Sequence, residues 1–135
     1  MKRRLFQIVI LIIALIAVVT GALGLTTGIL DDYYQLAIDP GLTGQIILDS
    51  NLRYFSGLWA GLGIVLLWML PAIERHTIPF RCISVMVFFG ATGRLISMIR
   101  LGIPSTIFLV FTVMELLFPL LILWQNRLSS EPLVR

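Results

Sequence analysis

Residues 5–30 read LFQIVILIIALIAVVTGALGLTTGIL, a run without a single charged side chain. A helix of that length rises about 39 Å at ~1.5 Å per residue, more than the roughly 30 Å of hydrocarbon in a bilayer. A helix on a water-soluble domain buries one stripe and keeps the opposite face polar. This run has no polar face, so it predicts a transmembrane helix. Three more apolar runs repeat the pattern at about residues 54–70, 83–99 and 103–124. The expectation is an all-α integral membrane protein: a single-domain bundle of four transmembrane helices over residues 1–135. Residues 31–53 would form an outer loop.

Composition agrees. Of 135 residues, 59% are hydrophobic and 13% charged, against roughly 45–50% and about 25% in ordinary soluble domains. Four spans leave no room for a separate soluble module. The net charge of +3 in so apolar a chain reads as topology, not as a nucleic-acid surface. Cys82 and His76 are the only residues of their kinds, which excludes an internal disulfide and a Cys/His metal cluster. No cofactor motif is present.

The opening MKRR and the apolar residues behind it also resemble a secretory signal peptide. The uncharged run is longer than such a core, and TGALGLTTG is a weak cleavage site, so a retained helix is expected.

Charge placement sets the orientation. Lys2, Arg3, Arg4, Arg75, Arg81, Arg127 and Arg135 fall on one side of the spans, and Arg53 and Arg100 on the other. The basic side is the cytoplasmic one, so both termini are expected there. Trp68 and Trp124 then mark the inner interface, and Tyr33, Tyr34 and Tyr54 the outer. The outer loop carries Asp31, Asp32, Asp39 and Asp49, spaced unlike any calcium loop. Asp39-Pro40-Gly41 reads as a turn, with flanking apolar residues lying on the membrane surface.

Small residues recur at helical spacing: Gly24 and Gly28, Gly57 and Gly61, and Gly90, Gly93 and Ser97. Such residues let helix backbones approach closely where lipid offers no hydrophobic contrast. Helix packing, or a surface for a second copy, is their expected role. No repeat relates the two halves, so an inverted-repeat transporter has no support.

Two ionisable residues lie well inside the spans: Arg94 in VFFGATGRLISMI (87–99) and Glu115 in FTVMELLFPL (111–120). Charges at such depth are costly, face the interior, find partners and mark function. The tight RLGIPS connection makes the third and fourth helices neighbours. Because Cα–Cβ bonds tilt toward each helix's N-terminus, the two side chains lean toward each other. An Arg94–Glu115 ion pair is therefore expected, as a structural staple or as a ligand site. Pro119 removes the N–H that would bond the Glu115 carbonyl. A kink and a free acceptor are expected there, with Thr112 among the substitute donors. Asn51 and Arg53 are expected at the mouth of the site, unless Arg53 snorkels to lipid phosphate.

The segments NLRYFSGLWAGLGIVLLWMLP, FFGATGRLISMIRLGIPS and MELLFPLLILW resemble a bacterial family of small four-helix membrane proteins, domain of unknown function 4345. The likeness spans roughly residues 5–125. It carries over to Arg53 with YFSG after it, to Gly93, Arg94, Leu95 and Ser97, and to Glu115. The resemblance implies the fold, a bacterial inner-membrane location and the position of a site, but no reaction. More distantly the architecture is similar to DoxX-like and sterol-isomerase-related bundles, whose buried histidines and extra acids this chain lacks.

The expected function is binding of a membrane lipid, a small amphiphile or a membrane partner protein through an outer-leaflet polar site. A proton-coupled transporter and an enzyme acting on a lipid or quinone are the alternatives. The first is disfavoured because a guanidinium keeps its carboxylate partner ionised. The second is disfavoured because no nucleophile–base pair is visible.

Overall fold

A computed structural model describes residues 2–28, 41–104 and 106–129, with residues 41–45 described by their backbone. Among these residues every regular element is helical: α1 (Lys2–Thr27), α2 (Gly41–Met69), a 3-10 turn (Leu70–Ala72), α3 (Thr77–Leu101), α4 (Thr106–Leu117) and α5 (Leu120–Ser129). Three stretches are long and apolar enough to cross a membrane: Lys2–Thr27, Ile46–Ala72 and Thr77–Leu101. Helices α4 and α5 are bent by 41° at their junction and make a fourth if counted as one broken span. Much of the outward surface is apolar, with Leu15, Val19, Trp68, Phe89 and Ile99 all exposed. An exposed apolar surface this extensive suits lipid and would be an aggregation hazard in water.

The second helix starts well before the expected residue 54. Residues 41–53, expected in the outer loop, belong to α2, and the remainder of that loop, with the Tyr33/Tyr34 belt and the Asp39 turn, lies outside the described residues. The physical reason is local. No proline interrupts residues 41–57, and Asp49 and Arg53, one turn apart, pair at 2.8 Å, so the helix continues where the apolar run stops. Helix α3 likewise begins at Thr77 instead of 83. Pro79 sits in its first turn, where the N–H groups have no intrahelical partner to lose.

The chain divides into two compact units, Gln7–Leu70 and the flanking Met1–Phe6 with Pro71–Arg135. In the first, α1 packs against α2 through small residues. Ile10, Ala14, Ala17 and Gly21 bury one face of α1, and Ser56, Ala60, Gly63 and Leu66 one face of α2. Backbone meets backbone most closely at Gly21 and Gly63. A Cβ on Gly21 would lie 2.6 Å from the Ala60 nitrogen, and one on Gly63 2.8 Å from the Ala14 oxygen. The sequence reading named neither. Of the glycines it did name, Gly57 meets only the Leu25 side chain, and an added Cβ on Gly61, Gly90 or Gly93 would touch nothing within 4 Å. Gly24 is buried and Ser97 exposed. Two polar pins add direction: the Trp59 indole N–H donates to Thr20 Oγ1 at 3.1 Å, and Gln7 Nε2 donates to the Leu70 carbonyl at 3.0 Å.

In the second unit α3 packs against both α4 and α5. Its buried face is Phe80, Ile83, Ser84, Val87 and Ala91, the three-and-four spacing of a helix stripe. An aromatic cluster closes one end: Phe6 lies 5.9 Å from Phe80 and 5.2 Å from Trp124, and Phe80 lies 5.8 Å from Phe118, between ring centroids.

Candidate functional site

The buried stripe of α3 runs 80, 83, 84, 87 and 91, and its next position is 94. Helical periodicity therefore aims Arg94 at the interface with α4. On α4 the buried positions are Thr112 and Glu115, one turn apart on one face. The two helices connect through Gly102, which takes a φ of +101° and donates its N–H to the Met98 carbonyl at 3.0 Å. A positive φ here suits glycine alone, and it folds the chain back so that the two charged positions meet.

Arg94 Nε lies 3.0 Å from Glu115 Oε2. The contact is ionic in its distance but not aligned as a hydrogen bond: Oε2 is sealed from the exterior and accepts none. The guanidinium stacks over Phe108, with Cζ 5.6 Å from the ring centroid, within the range of a cation–π contact. Nε thus faces the carboxylate and one face of the guanidinium covers the ring. The Nη edge makes no hydrogen bond or ion pair with another described residue, and the side chain is 39% exposed against 11% for Glu115. The site is asymmetric: the acid is inside and the base opens outward.

Below the pair, helix α4 ends at Leu117 and α5 begins at Leu120, with Phe118 and Pro119 between them. The Glu115 carbonyl, expected to lack a donor, accepts the Phe118 N–H at 3.3 Å. A tightened i+3 turn replaces the missing proline donor. Thr112 is not that donor, since its hydroxyl bonds the Phe108 carbonyl at 2.8 Å. The kink thus follows within a turn of Glu115, whose own backbone carbonyl is satisfied.

Arg53 belongs to the first unit. Its Nη1 donates to the Leu25 carbonyl at 2.5 Å and the Thr26 carbonyl at 3.1 Å, and its Nε to Asp49 at 2.8 Å. These bonds cap the C-terminus of α1, where carbonyls lack partners and the helix dipole favours a cation. Gly28, at φ +60°, backs directly onto this arrangement and is an αL helix stop as well as a small residue. Arg53 is thus a helix cap held by its own unit, and neither the snorkelling nor the site-mouth expectation described its bonding. Asn51 is exposed on α2.

Sequence reasoning missed two features. Phe108 sits seven residues before Glu115, on the same face two turns away, a spacing that could have shown it. The other is a polar latch at the far end of the second unit. There Arg3 forks onto Glu74, with Nη2–Oε1 at 2.9 Å, and donates to the Pro71 carbonyl at 2.8 Å. Gln125, fully buried, donates to the Ile73 carbonyl at 2.6 Å, and Ser129 donates to the Glu74 carbonyl at 2.7 Å. These bonds satisfy backbone groups in the turn before α3.

The model of a protein family described as a domain of unknown function, DUF4345, matches residues 5–125 of the chain. No curated protein and no solved structure matches it.

Proposed function

The chain belongs to the DUF4345 family, and we propose that it is a bacterial inner-membrane protein that binds the polar headgroup of a lipid or small amphiphile at Arg94. In this reading the spans form one four-helix bundle with both termini in the cytoplasm, which the seven-to-two distribution of basic residues supports. One observation carries the binding role. In a segment apolar enough to cross a membrane, a guanidinium meets its buried acidic partner at Nε while 39% of its side chain stays exposed.

The depth is compatible. Helix α3 has 25 residues and is about 37 Å long, so it overhangs a ~30 Å hydrocarbon layer by a few Å at each end. Arg94, seven residues before Leu101, then lies roughly 7 Å inside the hydrocarbon boundary, within reach of a headgroup drawn inward. A purely structural pair would be expected to cover the guanidinium more fully, because an unmet donor in lipid is expensive.

Native mass spectrometry of the purified protein tests this. Wild type should retain a phospholipid through mild detergent removal. Arg94→Met should lose most of it, and Arg94→Lys, which keeps the charge without the fork, should lose several-fold. Equal retention in all three would refute the reading.

A further inference from the structure

The pair also constrains the charge of the headgroup, an inference that rests on the binding role just proposed. Arg94 and Glu115 are one cation and one anion 3.0 Å apart, so the site is balanced before anything binds. An anion on the Nη edge alone would leave an uncompensated negative charge beside Glu115 in a medium of low dielectric, where such an excess is costly. A cation alone would do the reverse to Arg94.

The donors and acceptors narrow the choice. The free Nη edge offers two parallel N–H groups, the geometry that grips a phosphate or carboxylate in bidentate fashion. Glu115 accepts no hydrogen bond from any described residue. Its Oε2 is sealed, while 11% of the side chain stays exposed. A complete complement therefore has an oxyanion for Arg94 and, a few ångströms away, an N–H-bearing cation for Glu115.

We infer that the site selects a net-neutral, zwitterionic headgroup in which a phosphate oxyanion lies beside a primary ammonium. Phosphatidylethanolamine has both groups. Phosphatidylcholine keeps the charge balance but has no N–H to donate, and phosphatidylglycerol keeps the phosphate but is a net anion. These three lipids separate the two requirements.

The experiment is competition among the three, as equimolar probes with matched acyl chains in nanodiscs holding the full chain, with bound lipid read by native mass spectrometry. Wild type should retain phosphatidylethanolamine about tenfold over each rival, the scale of one charged hydrogen bond. Glu115→Gln makes the site a net cation and should invert the order toward phosphatidylglycerol, which loss of a merely structural contact would not do. Wild type favouring phosphatidylglycerol, or failing to distinguish the ethanolamine from the choline lipid, would overturn the inference and leave the binding role standing. Retention that no lipid and no Arg94 substitution alters would instead remove the binding role. The wild-type comparison needs no variant to fold.

Discussion

Exchanging the two charged residues singly and together measures how much of their contact serves the fold. At 3.0 Å and an effective dielectric of ~20, the attraction is about 5 kcal/mol before desolvation. Removing one partner of a fully enclosed pair costs roughly 3–5 kcal/mol. Here Arg94 is 39% exposed, so screening by detergent headgroups and water lowers the expected cost to about 1–3 kcal/mol for Arg94→Met. Glu115→Gln should cost less, about 1–2 kcal/mol, since an amide still offers an oxygen to the guanidinium. The double variant should recover part of the loss, giving a coupling of ~1–2 kcal/mol. The assay is equilibrium unfolding in mixed micelles, followed by tryptophan fluorescence, with all four proteins under one detergent. If the effects of the single exchanges add to within about 0.5 kcal/mol, the two groups do not act on each other, and the geometry argued for the site is wrong.

Other features give independent tests. Gly21→Ala places a methyl 2.6 Å from the Ala60 nitrogen and 2.7 Å from the Ser56 oxygen, and backbone atoms cannot yield, so unfolding in detergent should show a loss of about 1–3 kcal/mol. Gly61→Ala meets nothing within 4 Å and should be neutral or gain up to ~1 kcal/mol from helix propensity. Arg53→Met removes the cap on the Leu25 and Thr26 carbonyls. It should cost about 1–2 kcal/mol and speed amide exchange in the last turn of α1. Gln125→Leu strips the donor from the Ile73 carbonyl and should cost roughly 1–3 kcal/mol. Gln125→Glu should cost more, because a carboxylate would then face that oxygen.

The apolar runs made the helices legible, because a continuous apolar segment has few other stable forms in lipid. Their ends were less so. The boundary of a run marks where hydrophobicity stops, whereas a helix stops where its hydrogen bonds do. That difference placed residues 41–53 in a loop although Asp49 and Arg53 support a helix through them. The meeting of Arg94 with Glu115 was readable from the short connection and the tilt of the side chains. The bonding of Arg53 was not, since nothing in its spacing says that α1 ends beside it. Spacing alone did not single out the closest backbone contacts: Gly57 and Gly61 fit the small-residue pattern, and it is Gly21 and Gly63 that touch backbone. Which glycines meet depends on the register between two helices, and a sequence carries that only indirectly. Gln125 was passed over because a polar residue near the end of a span looks like an interfacial one, and its burial depends on the preceding turn folding over it.

If the Nη edge of Arg94 receives a lipid phosphate, solid-state NMR can measure that contact in a bilayer. In protein carrying ¹⁵N-arginine, dephasing of the Nη signals by lipid ³¹P is recorded for wild type and for Arg94→Met, and the difference isolates one residue. A difference signal with phosphorus within about 5 Å of nitrogen, as a bidentate N–H···O–P contact requires, is the result expected. A null difference, with the variant folded, would mean that no phosphate reaches Arg94 and that the binding role proposed here is mistaken.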